Sequence, residues 1–521
     1  MKKVNKFVRI IGFLGLLFWF SIGAGEAQEA GEQEQNGQDQ EQTNPDAPQT
    51  AETTDFVEAY AAGKFDLAAR LAQQGIDGGD LPRDRRGRAY LAVGKAHVLA
   101  NRFDHAREAL DQALALLDAP AEAHYERFKL AYMDRDWVTA ARDLKALAEQ
   151  RPDLARPVHL SAVQAIQYGA LGMGEDALVF DLLIALRNAR YSGAPNDARP
   201  DRLYRDLVQM LGERGRLFEA EALIDLIHDV DLMAGMMVDR RFAPLWRVLD
   251  TKFGTSASSL TIRELEFINR TRQNNRSSLG MVRQHMKDLR RHGLPQQAAQ
   301  LGGAVMNSVE SGAIGQVGGS DLLWVANELA YALLDMEEVD AAISLLGQLA
   351  GLDPKQVPGL VNQQINYAGI LMGLGRFESA LNAAPLAEMG AVSRYGQFFI
   401  RQIAVCSYEA LGEHEKALAA LGPLQDQPLI NPRATQIALL CLDRTDEGAD
   451  QLVRRLENER TREDALLALL KPDLSFVQEP FFLVLQDRFD ALRKNPKVIS
   501  ARDKVGRDLS LSLRPIYWAA F

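Results

Sequence analysis

The chain predicts an all-α fold, an α-solenoid of stacked helical hairpins, and three observations over its 521 residues carry that prediction. A short motif returns ten times: a Gly or polar turn residue, a large residue two positions on, and an alanine three further on. Apolar residues recur at helical spacing on both sides of the motif, as in 89–116 around Asn101. Strand signals are nearly absent. Composition agrees, since 47% hydrophobic and 25% charged residues suit a chain that buries a substantial core. Two cysteines are too few for a small disulfide scaffold. A net charge of −11 and a pI near 5.4 argue against a nucleic-acid partner, which demands a surplus of cations facing phosphate.

The first segment reads as an export signal. Lys2, Lys3, Lys6 and Arg9 precede the apolar stretch Ile10–Ile22, and Gly25-Glu26-Ala27 supplies small residues where a signal peptidase cleaves. Residues 1–27 are therefore expected to be a secretory signal peptide. An uncleaved anchor over residues 10–25 is the alternative, but that stretch falls short of the ~18 residues a spanning helix needs. After residue 25 no apolar run approaches that length, which excludes a multi-pass membrane protein. Residues 28–54 are Glu/Gln-rich with few large apolar side chains, so a disordered acidic tether is expected. Ten acidic residues and no Lys or Arg lie in 26–63, leaving the body from Lys64 onward at −5. The acidity belongs to the tether.

The repeats follow. The first series is Gly63, Phe65 and Ala68; Asn101, Phe103 and Ala106; Arg135, Trp137 and Ala140; a weaker copy ending at Ala177; and Gly215, Leu217 and Ala220. After a gap come Gly293, Pro295 and Ala298; Glu337, Val339 and Ala342; Gly375, Phe377 and Ala380; Gly412, His414 and Ala417; and a faded copy ending at Ala449. Within each series the alanines lie 32 to 44 residues apart, the length of two helices and a tight turn. The turn residue must allow a left-handed backbone, and the alanine marks close approach of the two helices. Two phrases, Val238–Trp246 and Asp487–Leu492, read as segments that close the exposed apolar end of a stack. The expected plan is a repeat block at 55–235, an irregular junction or cap at 236–280, a second block at 281–475 and a C-terminal cap at 476–521.

The second copy carries the fullest pattern. Tyr90, Val93 and Gly94 lie on its first helix, and Asn101, Phe103, Ala106, Leu110 and Ala113 form its turn and second helix. In these residues the chain resembles the tetratricopeptide repeat family, with His97 replacing the usual second aromatic. Pro152 and Pro354 each fall twelve residues after a hairpin alanine, where that family places its helix-ending proline. The resemblance covers most of 55–475 and implies a protein-interaction scaffold. By helical position, Gln402 and Glu409 are the candidate groove residues for a peptide segment or a partner's helix.

Motifs for chemistry fail on inspection. Around Gly94-Lys95, Ala89 replaces the first glycine of a phosphate loop and Ala96 replaces its hydroxyl residue. Gly169, Gly172 and Gly174 follow no strand and lie at a hairpin turn. There is no His-Glu-x-x-His run and no Gly-x-Ser-x-Gly elbow, so no catalytic residue, cofactor or metal site is assigned. His285 and His292 can share a helix face but are too few for zinc, and they are expected on the surface of a basic helix. The stretch Arg263–His292 carries a net +5. Its Arg270, Arg272 and Arg276 are candidates to receive an acidic partner or the chain's own tether; the plain alternative is a solvated helix and loop. Cys406 and Cys441 fall in the first helices of neighbouring hairpins. Helix axes pack ~8–10 Å apart and a disulfide requires Cα atoms within about 7 Å, so buried free thiols are expected rather than a bond.

Together these readings describe an exported, non-catalytic scaffold for protein–protein interaction in the bacterial envelope, expected in the periplasm, whose partner is a protein or peptide. The alternatives are an envelope enzyme with a site between the two blocks, and a membrane-tethered assembly factor if residues 1–27 stay attached.

Overall fold

A computed structural model describes residues 56–79, 81–194, 199–254, 257–271, 279–310, 319–352, 359–385, 392–473 and 479–514. The signal segment 1–27, the tether 28–54 and the aromatic end 516–521 lie outside the described residues. Those described are all-α: 27 α-helices, one 3-10 helix and two strands of two residues each. They fall into two compact units, divided at 203/204 within the helix Asp201–Glu213.

The first unit contains α1 (Phe56–Ala61), α2 (Phe65–Gly78), α3 (Arg83–Leu99), α4 (Phe103–Leu114), α5 (Ala121–Asp134), α6 (Trp137–Gln150), the single turn α7 (Pro152–Ala155), α8 (Leu160–Gly172) and α9 (Asp176–Asn188). These pair as antiparallel hairpins, and each hairpin packs on the next in sequence. The second unit begins with α10 (Asp201–Glu213), α11 (Leu217–Ile224) and α12 (Val230–Val238). The 3-10 turn Arg240–Leu245 then leads to α13 (Trp246–Phe253) and α14 (Ala257–Thr271). Regular hairpins resume with α15 (Leu279–Arg291), α16 (Pro295–Glu310), α17 (Gly319–Asp335), α18 (Val339–Ala350), α19 (Val361–Gly373) and α20 (Phe377–Ala383). They continue through α21 (Arg394–Ala410), α22 (His414–Asp426), α23 (Pro432–Cys441), α24 (Thr445–Glu457) and α25 (Arg462–Leu469). Helix α20 stops two residues short of Pro385, because a residue that precedes proline disfavours the helical backbone.

One local device makes every hairpin. Ten turn residues hold a positive φ: Gly63, Asn101, Arg135, Gly174, Gly215, Gly293, Glu337, Gly375, Gly412 and Asp443. At each, the next amide reaches back five residues to a helix carbonyl, as Arg102 N does to His97 O at 2.9 Å. Five residues after eight of these turn residues stand Ala68, Ala106, Ala140, Ala220, Ala298, Ala342, Ala380 and Ala417, all fully buried. The motif therefore encodes a reversal and the close contact that follows it. In the two faded copies the register differs from expectation. Gly174 takes the left-handed conformation, so Val179 is buried where Ala177 was expected; Asp443 does so later, which places Gly448 ahead of Ala449.

A non-glycine residue in this conformation costs roughly 1–2 kcal/mol. Arg135 has φ 61° and is exposed. Replacing it with glycine is expected to stabilise the first unit by up to about 1 kcal/mol, the strain relief less the unfolded-state entropy of glycine. Hydrogen exchange across α5 and α6 measures this; unchanged or weaker protection contradicts it.

The second unit is joined end to start. Helix α26 (Pro480–Arg493) crosses the C-terminal ends of earlier first helices. Its Phe482 lies against Gly373, and Arg488 Nη1 donates to Leu440 O at 2.5 Å and Cys441 O at 2.9 Å, the last carbonyls of α23. Helix α27 (Pro496–Val505) lies along α24. The chain then returns to the unit's beginning, where Gly506 bridges Asp239 and Arg507 N donates to Val238 O at 2.9 Å. The Arg507 guanidinium grips both Asp250 oxygens, at 2.9 and 2.5 Å, and covers the Trp246 ring. Helix α25 packs on α12, with Glu463 paired to Arg205. A two-residue parallel pair, β1 (Lys471–Pro472) with β2 (Ser512–Leu513), ties down the tail. The phrases Val238–Trp246 and Asp487–Leu492 thus lie in the segments where the unit closes on itself.

Candidate functional site

Helix α21 carries both residues expected in a groove, and they fare differently. It packs between α19 and α23, so two of its faces meet other first helices. Gln402 falls on one of these faces and is only 1% exposed. Its amide donates to Met372 Sδ and to Cys406 Sγ, both at 3.5 Å. The groove assignment of Gln402 is therefore overturned: helical position alone did not distinguish the open face from the flanks that neighbouring hairpins cover. Glu409, one residue from the helix end, is half-buried and accepts from His414 Nδ1 at 2.8 Å.

The expectation of free thiols is also corrected. Cys406 and Cys441 form a disulfide with Cα atoms 5.1 Å apart. The expectation compared a distance between helix axes with a distance between Cα atoms. Each Cα stands about 2.3 Å off its axis, so two that face each other across adjacent helices come within bonding range. Both cysteines are buried.

Nor is α15 the solvated basic helix that its charge suggested. Arg290 and Arg291 are buried. Arg290 bridges Asp335 at 2.9 Å and Glu328 at 3.1 Å, and lies over the Tyr331 ring. Arg291 grips both carboxylate oxygens of Asp231, at 2.7 and 2.6 Å, and so ties α15 to α12. His292 faces Glu264 Oε2 at 3.2 Å, and burial pushes its imidazole below the ordinary value. His285 is half-buried. Burial likewise lowers the Lys287 ammonium. Arg290 and Arg291 are thus structural partners of carboxylates contributed by other helices, which a linear count of charge could not show. Arg270 lies in α14 next to its last residue, while Arg272 and Arg276 lie outside the described residues.

Surface features suited to a partner lie elsewhere. In the first unit, Leu99 is 63% exposed and Met133 58%. Each stands two residues before a left-handed turn residue, so they hold equivalent places in successive hairpins. Met173, 59% exposed, stands one residue before the next such turn. Stacked repeats set equivalent positions side by side, which makes Leu99 and Met133 an apolar ridge along the turns, with Met173 beside the next turn of the series. Their signal in the sequence was a large apolar residue off the buried stripe beside each turn. In the second unit a recess of about 770 Å³ opens between the α22–α23 loop and the end of α24. Pro428, Leu429 and Ile430 give it an apolar wall, with Arg454 and Glu457 opposite.

No protein-family model and no curated protein matches this chain. Among the described residues, no group of three His, Cys, Asp or Glu side chains is placed to hold a metal ion. No helix of the described residues is long and apolar enough to cross a membrane.

Proposed function

We propose that the chain is an exported scaffold, similar to tetratricopeptide repeat proteins, that binds an apolar segment of another protein in the bacterial cell envelope and performs no catalysis. The observation that carries this reading is the ridge of Leu99, Met133 and Met173, large apolar side chains in solvent beside the turns of three consecutive hairpins. Solvent-exposed apolar side chains that line up, rather than scatter, mark a surface where a partner docks. The disulfide between Cys406 and Cys441 supports export, since such bonds persist in oxidising compartments such as the periplasm.

Cross-linking in envelope extracts tests it. The unaltered protein is expected to capture a defined partner. A variant with Leu99, Met133 and Met173 all changed to serine should lose at least nine-tenths of that capture at undiminished helicity, a drop of ~1.4 kcal/mol or more for a tenfold change in affinity. An identical capture profile from both proteins rules the ridge out as the docking surface.

A further inference from the structure

Four helices of the second unit bring one polar side chain each to a common place: Tyr395 from α21, Arg433 from α23, Arg455 from α24 and Asp464 from α25. Arg433 and Asp464 are the charges within electrostatic reach of Arg455, and the same two act on the Tyr395 phenol. Arg455 is the largest fully buried side chain among the described residues, at 1% exposure. Its Nε and Nη1 have no hydrogen-bond partner. No ion pair or side-chain hydrogen bond joins Arg433, Asp464 or the Tyr395 hydroxyl to any other described residue. Four convergent polar groups are thus left unmated in a unit that elsewhere pairs its buried arginines with carboxylates.

That contrast is informative. A guanidinium offers five N–H donors, and leaving them unmade out of water is costly. A second guanidinium nearby adds repulsion. Asp464, the carboxylate in reach of Arg455, touches neither cation, and Asp231, which also lies in reach of Arg433, is already gripped by Arg291. Burial pushes the Arg455 guanidinium down to about 10, with Arg433 adding to the push, so it remains charged at neutral pH. What the cluster lacks is negative charge with acceptor oxygens. Planar guanidinium forks match an oxyanion in two-point contact, and a phenol supplies a further donor.

We infer that Arg455, Arg433 and Tyr395 form a binding site for a small oxyanion, a phosphate or a carboxylate group. Tyr395 is 54% exposed and Arg433 half-buried, so these two are the members that solvent reaches, while Arg455 is buried. Asp464 is exposed and adds a negative charge that opposes the ligand. The site belongs to the second unit and is independent of the apolar ridge in the first.

Calorimetric titration of the full, oxidised chain tests this, using inorganic phosphate and, separately, succinate at constant ionic strength. At least one of the two is expected to bind saturably and raise the melting temperature, because a ligand of the folded state stabilises it by mass action. Arg433→Met and Arg455→Met should each weaken that binding at least tenfold, and Asp464→Asn should tighten it several-fold. Arg433 is half-buried, so its variant keeps the test valid if Arg455→Met does not fold. Saturation by phosphate alone assigns a phosphate group, by succinate alone a carboxylate, and by both a general oxyanion site. Absence of saturable binding with either probe overturns the inference, as does an affinity unchanged in Arg433→Met.

Discussion

Replacing Gly169 with valine is expected to destabilise the first unit by about 3 kcal/mol, the upper end of the cost of overpacking a close-packed contact. Gly169 lies in α8 against the indole of Trp137, the first residue of α6. A Cβ at 169 would sit 2.2 Å from Trp137 Cγ, far inside any real carbon contact. The indole has little room to yield, being packed edge-on to Tyr132 with ring centres 5.9 Å apart. The contact joins one hairpin to the next, so the loss should spread along the stack instead of staying local. Amide hydrogen exchange by mass spectrometry should show protection falling throughout α6, α8 and α9. Gly172→Ala is the control, since a Cβ there meets nothing within 4 Å and the site is helical. Alanine should be neutral or stabilising by up to ~1 kcal/mol. Equal protection in Gly169→Val and the unaltered chain would sink the packing account.

Opening the Cys406–Cys441 bond should cost about 3–4 kcal/mol, the loop-closure entropy of cross-linking residues 35 apart in sequence. The bond joins α21 to α23, so the loss is expected in those helices and in α22 between them. Double replacement by alanine should lower protection there while leaving α5 and α6 unchanged. Because both cysteines are buried, reductant should open the bond only as fast as the surrounding helices open. Rapid labelling of both thiols in the native protein, or alkylation without any reductant, would contradict this account.

The hairpins were legible because their signal is local. A turn residue, its helix and the alanine five positions on lie within one reversal, so Gly63, Asn101 or Gly375 can be read without knowledge of the rest. Where the copies faded, the helices were still correctly expected but the register slipped, as at Ala177. Charge was misread for a different reason. Arg290 and Arg291 look like surface cations until Asp335, Glu328 and Asp231 arrive from other helices to bury them. Gln402 misled likewise: its helix was right, but which face remains open depends on two neighbours at once. The unmated cluster of Tyr395, Arg433, Arg455 and Asp464 had no sequence signature, since its members converge only through the stacking of four helices.

The homecoming of the last described residues to α12 and α13 bears on how the chain is made. In the first unit every hairpin leans on its predecessor, so assembly can keep pace with emergence of the polypeptide. The second unit must wait, because Arg507 emerges 257 residues after the Asp250 it clasps. Contacts so remote in sequence form slowly. A truncated or stalled copy would leave the near side of the closure naked, a durable handle for chaperones and proteases.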